Sequence, residues 1–305
     1  MNPNTNKYIR TDLACECIDP SQKIPDGVEH KEERDGDILI LRTEIKTDEQ
    51  ARLIGKKTGS YRTLECKKLS ELCDSEAEKL SRLIARELCA LAEKTCKKPS
   101  AELRVLVAGL GNRNMTPDAL GPEVLSRLTV TGHIASLDSG LFAELGACEL
   151  YAVAPGVLGD TGIESLELIR GAKNAVKPDL IIAVDALASR SAERLCATVQ
   201  MSDCGISPGS GVGNKRKEIS RETLGVPVIA LGVPTVIDTS TLVFDVLMRT
   251  GGEKEDIELI LREISSFFVA PREADGITRR AACIFADAID MAFGIKRSES
   301  EYILK

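Results

Sequence analysis

Tryptophan is absent from this chain of 305 residues, and aromatic residues make up only 3% of it. Proteins that bind single-stranded nucleic acid stack the bases on aromatic side chains, so this composition disfavours such a surface. Positive charge is also scarce, because 40 Lys and Arg are outnumbered by 47 Asp and Glu, which leaves a net charge of −7. A DNA-binding protein usually concentrates basic residues on one face, so we expect no direct contact with nucleic acid.

Long apolar runs are missing as well. No stretch approaches the roughly 20 apolar residues that a transmembrane helix needs. The N-terminal segment Met1–Asp19 is polar and lacks the apolar centre of a signal peptide. We therefore expect a cytoplasmic protein that makes no membrane contact. Its ten cysteines include no CxxC pair and are expected to be reduced thiols in that compartment.

Histidine is nearly absent, with His30 and His133 as the two examples. A Ser-His-Asp or Cys-His triad would need one of them. The chain also lacks the Gly-x-Ser-x-Gly elbow of many serine hydrolases and the His-Glu-x-x-His motif of zinc peptidases. These absences disfavour the commonest hydrolytic mechanisms and leave carboxylates as the candidate catalytic groups.

The apolar pattern that is present indicates an α/β fold. Short apolar runs alternate with amphipathic segments, which is typical of a mostly parallel sheet flanked by helices. The first 35 residues are polar, and we expect little regular structure in them. Strands are predicted at residues 37–45, 61–66, 103–108, 151–154, 180–184, 197–201 and 226–231. Helices are predicted at residues 75–96, from 116–117 onward, and at 161–176, 239–249, 254–268 and 272–293.

Two aspartates fall where the active sites of α/β proteins form, beyond the C-terminal ends of strands. Asp118 follows the predicted strand at 103–108, and Asp185 ends the strand at 180–184. Two carboxylates that share one proton can hydrolyse a peptide, one as a base toward water and the other as an acid. An aspartate that only caps a helix or ends a strand has the same spacing, and spacing alone favours that structural role.

Two other features are weaker candidates. The triplet at residues 138–140, Asp-Ser-Gly, imitates pepsin-like proteases but lacks the second copy that those folds use, which favours turn chemistry. The loop at residues 209–217 is rich in glycine and basic residues but lacks the spacing of a P-loop. A flexible loop beside a site and a phosphate cradle are equally compatible with its composition.

Five long segments carry motifs in a fixed order. They are Gly109–Pro122, Ala154–Ser165, Pro178–Arg190, Ile206–Glu218 and Leu224–Asp238, and a shorter motif covers Tyr8–Ala14. In this order the segments resemble the germination protease family, and together they span most of residues 8–240. The resemblance implies a fold like that of the hydrogenase maturation peptidases.

The resemblance also implies an activity. It implies an endopeptidase of unusual aspartic type, with Asp118 and Asp185 as the catalytic pair and with no cofactor or metal. The implied substrates are the small acid-soluble proteins of the spore core, cut between an acidic residue and a large apolar one. Members of this family are made as zymogens and are expected to be homotetramers.

The N-terminal sequence contains an imitation of such a cleavage site, at Asp12 and Leu13. We therefore predict that residues 1–12 form a propeptide that the protein removes by cutting itself between these two residues. Residues 13–305 are then predicted to form a single α/β protease domain.

Two alternatives stay open. A metal-dependent processing peptidase, like the hydrogenase maturation group, would share the Gly-x-Gly-Asn opening and could use Asp118 as a ligand. Histidine ligands are scarce, and a site built from carboxylates favours magnesium or calcium over zinc. A protein that sequesters spore proteins without cutting them would need neither aspartate. Incubation with a spore protein, with and without a chelator, distinguishes the three.

Overall fold

A computed structural model describes residues 10–18, 26–213, 216–251, 256–257, 260–261 and 267–295. Within these ranges the chain forms one sheet of nine strands with helices packed against it. The strands are β1 (Val28–Asp35), β2 (Ile38–Ile45), β3 (Gly59–Glu65), β4 (Arg104–Gly109), β5 (Glu149–Val153), β6 (Leu180–Ala188), β7 (Thr198–Ser202), β8 (Val228–Asp238) and β9 (Phe268–Val269). The α-helices are α1 (Asp48–Ile54), α2 (Asp74–Cys96), α3 (Leu120–Leu125), α4 (Gly132–Leu137), α5 (Ser139–Leu145), α6 (Leu158–Thr161), α7 (Ser165–Val176), α8 (Arg221–Leu224), α9 (Thr239–Arg249) and α10 (Ala274–Ala292).

The sheet has a parallel half and an antiparallel half. Its strand order is β1-β2-β3-β7-β8-β6-β4-β5, and β9 pairs with the end of β8. Strands β5, β4, β6 and β8 are parallel to their neighbours in that group. The pairings that run from β1 through β2, β3 and β7 to β8 are antiparallel. The predicted α/β fold with a central sheet flanked by helices is confirmed. The sheet is not mostly parallel, as the sequence had predicted, because among the described strands three pairings are parallel and five are antiparallel.

The prediction of little regular structure in the first 35 residues is wrong for β1. This strand pairs with β2 along its whole length and forms the edge of the sheet. Its sequence is largely charged, and Val28 is its one buried residue. A solvent-facing edge strand needs few apolar residues and often carries charges, so hydrophobic periodicity does not reveal it.

The central strand β4 is buried on both faces. Val105 and Val107 face the larger core, which includes residues of α2 and α10. Leu106 and Ala108 face a second core, to which α7 contributes. Burial on both faces explains why the sequence of this strand is a continuous apolar run. It also holds the C-terminal end of the strand firmly in place.

The predicted helices at 75–96, 239–249 and 272–293 correspond to α2, α9 and α10. The helix predicted at 161–176 begins later, at the start of α7, because Gly162 adopts a left-handed conformation and ends α6. Much of the helix predicted at 254–268 lies outside the described residues, and its last residue, Phe268, belongs to β9. Among the described helices, none combines the length and the apolar character required to cross a bilayer.

Candidate active site

Asp118 and Asp185 line one cavity of about 720 Å³ at the C-terminal end of the parallel strands. Strand β4 ends at Gly109, which is paired with Val184 on β6. The chain after β4 turns away and carries Asp118, while β6 continues for four more residues and carries Asp185. The structure therefore brings together the two aspartates that the sequence singled out.

The turn that carries Asp118 is held from several sides. It is a 3-10 turn, Thr116–Asp118, and the backbone N–H of Asn112 donates to Asp118 Oδ2 at 2.8 Å. Gly111 has a φ of 106°, and a Cβ there would lie 1.9 Å from the carbonyl oxygen of Asp118. The hydroxyl of Thr235 on β8 donates to the carbonyl of the proline in the turn at 2.6 Å. The close approach of Gly111 to the carbonyl of Asp118 explains why a glycine is needed after β4.

Asp118 does not serve as a helix cap. Helix α3 begins after Ala119, and no side chain in the described part of the chain caps its N-terminus. The Asp118 carboxylate instead faces the cavity and accepts its hydrogen bond from the loop after β4. The structural role that spacing alone favoured is therefore not the one that Asp118 has.

The two carboxylates have different environments. Asp185 is 5% exposed, and the N–H of Ala186 donates to its Oδ1 at 2.9 Å. Burial raises the pKa of Asp185 well above its usual value, and the nearby carboxylates of Asp118 and Asp12 raise it further. Burial also raises the pKa of Asp118, but the hydrogen bond from Asn112 opposes that rise. We therefore expect Asp118 to ionise first while Asp185 keeps its proton.

A third carboxylate, Asp12, lies in the same cavity. Its Oδ2 accepts a hydrogen bond from the N–H of Ala188, and its own N–H donates to the carbonyl of Ala188, both at 2.9 Å. The hydroxyl of Ser210 donates to Asp12 Oδ1 at 2.9 Å. The side-chain amide of Gln200 donates to the carbonyl of Asp12, also at 2.9 Å. The sequence placed Asp12 at a cleavage site but did not indicate that its side chain enters the site.

The residues that follow Asp12 are buried. Leu13 is 0% exposed and packs in an apolar cluster with Leu41, Leu187 and Cys15. The N–H of Ala14 donates to Gln200 Oε1 at 2.6 Å. The amide of Gln200 thus bonds to backbone on both sides of the predicted cleavage site. Gln200 itself could not be identified from the sequence, because it lies in the middle of β7 and matches no catalytic motif.

The other sequence candidates divide between the site and the scaffold. Asp138 is a helix cap, because its carboxylate accepts from the N–H of Leu141 at the start of α5. His30 bonds to Thr43 on the β1–β2 hairpin. Part of the glycine-rich loop does lie at the cavity, which Arg216 lines. Across the described ranges, no group of three or more His, Cys, Asp or Glu is arranged to hold a metal ion.

Burial of Asp185 has a consequence for stability. Because folding raises its pKa from the ordinary value of 3.8, the unfolded chain loses this proton at lower pH than the folded chain. Stability from the protonated group is then complete below the unfolded pKa and is lost as pH rises toward the folded pKa. Asn stays neutral at every pH, so we expect Asp185→Asn to raise the Tm relative to wild type by more at about pH 8 than at about pH 5. Thermal unfolding of both proteins at both pH values measures this difference in Tm. A gain for the variant that is no larger at the higher pH contradicts the prediction.

Comparison with known proteins assigns the chain to a family. The sequence profile described as Germination protease matches residues 12–264. The germination protease of Bacillus subtilis is 45% identical over 266 residues, which cover 83% of this chain and 71% of that protein. The germination protease of Caldanaerobacter subterraneus is 39% identical over 324 residues, which cover 97% of this chain and 98% of that protein.

Among solved structures, a NiFe hydrogenase maturation protease from Thermococcus kodakarensis matches 61% of this chain and 92% of its own, with 18% identity and a TM-score of 0.31. That likeness is too low to carry an argument about this chain. The profile match and the relatives are decisive by themselves, because both extend over most of the sequence. The chain belongs to the germination protease family.

Proposed function

We propose that this protein is an endopeptidase that begins the degradation of small acid-soluble spore proteins, and that Asp118 and Asp185 activate the attacking water. One observation carries the catalytic part of the proposal. Two carboxylates line one cavity, burial raises the pKa of both, and the carboxylates of Asp118 and Asp12 raise the pKa of Asp185 further, which separates the two values. Such a separation leaves one base and one acid available at the same pH.

The two environments assign the roles. Asp118 is half-buried and becomes the ionised base that takes a proton from water as the water attacks the peptide carbonyl. Asp185 is deeply buried and donates its proton to the carbonyl oxygen as charge develops, which gives a gem-diol. As the C–N bond breaks, Asp118 passes the proton that it took from water to the leaving amine, and Asp185 recovers a proton from a hydroxyl of the gem-diol. Products leave the pair with one proton again, so the cycle can repeat. The half-buried guanidinium of Arg216 lines the cavity and offsets part of its negative charge.

We propose cleavage after an acidic residue and before a large apolar one, in the cytoplasm of the spore core, without direct contact with nucleic acid. We also propose a homotetramer, and the exposed apolar side chains Leu137, Leu141 and Leu145 on α4 and α5 offer a surface for contacts between subunits. Residues 1–12 act as a propeptide, which the seating of Asp12 in the cavity supports.

Cleavage of a purified spore protein tests the proposal, and exhaustive chelation tests its mechanism. A carboxylate pair activates water without a Lewis acid, so we expect the rate of cleavage to be unchanged after chelation. The products are followed by mass spectrometry. Loss of activity that one added divalent ion restores would favour the metal-dependent alternative. Binding of intact substrate with no cleavage would favour the sequestering alternative.

A further inference from the structure

The carboxylate of Asp12 occupies a site built from distant parts of the chain. Its two donors, the N–H of Ala188 and the hydroxyl of Ser210, lie 176 and 198 residues away in sequence. A Cβ at Gly211 would lie 2.2 Å from Asp12 Oδ2 and 2.7 Å from the Cβ of Ala188. Turn chemistry near Asp12 cannot produce such contacts. They form a fitted carboxylate site, which we call the Asp12 cradle: the Ala188 N–H, the Ser210 hydroxyl and the backbone at Gly211.

Within the described residues, the cradle lies along a strand edge that no other strand covers. Strand β4 pairs with β6 only as far as Val184, whereas β6 continues on its other side against β8 to Ala188. The backbone N–H of Asp12 donates to the carbonyl of Ala188 on β6, as the N–H of an added strand would. An extended peptide can bind to such an edge through its backbone and place alternate side chains in pockets.

We propose that the Asp12 cradle is the subsite for the acidic side chain that precedes the scissile bond of a substrate, and that Asp12 occupies it in the uncut chain. This inference rests on the proposed function. Departure of residues 1–12 after cleavage exposes the Ala188 N–H, the Ser210 hydroxyl and the space that Gly211 leaves. A substrate carboxylate can then make the same two hydrogen bonds.

The position of the cradle also explains why an acidic side chain is useful there. The charge of Asp12 is one of the two carboxylate charges that act on Asp185 and favour its protonated form. A substrate carboxylate in the same place would do likewise and keep the catalytic acid protonated. An uncharged amide of the same shape would fill the space but would not favour the protonated form of Asp185. Its NH2 group also could not accept a hydrogen bond, as the second carboxylate oxygen does.

Ser210→Ala tests the assignment. The chain is first processed, by itself or by tagged wild-type enzyme that is then removed, and its N-terminus is verified by mass. Two peptides with the sequence of residues 8–16, one with Asp and one with Asn at position 12, then serve as substrates. Because hydrogen bonds to charged groups are the stronger ones, we expect Ser210→Ala to lower kcat/KM for the Asp peptide by about tenfold or more. The Asn peptide should lose much less, so the preference for Asp shrinks.

Matched variants separate this effect from damage to the fold. Ser210 is exposed, so its hydroxyl can be removed without opening a core cavity. Ser207 lies three residues earlier, its side chain makes no hydrogen bond within the described residues, and Ser207→Ala should leave the Asp preference intact. Gly211→Ala should abolish cleavage of the Asp peptide, since its Cβ would occupy the carboxylate position.

Two negative outcomes are distinguishable. If wild type cuts neither peptide nor a spore protein, the proposed function itself fails. If wild type prefers the Asp peptide and Ser210→Ala keeps the same Asp-to-Asn ratio, the cradle is not the subsite and serves the propeptide alone.

Discussion

Replacement of Asp118 or Asp185 by Asn is expected to lower the rate of peptide cleavage by about a thousandfold or more. An asparagine at position 118 cannot take a proton from water, and one at position 185 has no acidic proton to give. Either change also removes the shared proton on which the pair depends. The loss should appear in kcat, because neither carboxylate is assigned to hold the substrate side chain. Initial rates on a spore protein, with each variant expressed directly from Leu13, measure it.

Asp37→Asn is the matched control for this experiment. Asp37 is exposed in the turn between β1 and β2, far along the sheet from the parallel strands. It should retain wild-type rates and the wild-type circular dichroism spectrum, and Asp118→Asn and Asp185→Asn should share that spectrum. Near wild-type turnover in either of the two site variants would rule out the aspartic pair.

Self-cleavage between Asp12 and Leu13 is the second large effect that we expect. Full-length chain held at mildly acid pH should yield a product that begins at Leu13. Asp12→Lys should block this product, because an ammonium group cannot accept the hydrogen bonds of Ala188 and Ser210 and does not fit beside Gly211. N-terminal sequencing and intact mass of the product measure the outcome.

The pH dependence follows from the two raised pKa values. As pH rises through the pKa of Asp185, the acid loses its proton and the rate of self-cleavage falls. As pH falls through the pKa of Asp118, the base is protonated and the rate falls again. We therefore expect a bell-shaped profile displaced toward a higher pH than two ordinary aspartates would give.

The position of Asp12 in the cavity also predicts the kinetic order of self-cleavage. Because Asp12 already lies in the cavity of its own chain, self-cleavage should be first-order and independent of protein concentration. Leu13 is fully buried, so cleavage must wait for the segment to loosen locally, which makes the reaction slow. A rate that rises in proportion to concentration would mean that one molecule cuts another. A stable N-terminus under all conditions, or one produced only by an added protease, would contradict self-processing.

The family, the α/β class and the pair of aspartates could be predicted from the sequence alone. These properties follow from local patterns. A strand buried on both faces, such as β4, must be a continuous apolar run, and Gly111 must be glycine because the chain passes against Asp118. Since parallel strands end at one edge of a sheet, two aspartates that follow such strands were expected to be neighbours.

The antiparallel half of the sheet and the place of the N-terminal segment depend on contacts between distant parts of the chain, which local patterns do not record. The charged edge strand β1 is stabilised by pairing with β2 rather than by burial, so its sequence carries no apolar signal. Asp12 meets Ala188 and Ser210 across more than 170 residues of chain, through one backbone N–H and one hydroxyl. Almost any residue has a backbone N–H, and serine hydroxyls are common, so the sequence does not indicate which of them bind Asp12. The folded chain selects these two donors by placing them beside the carboxylate.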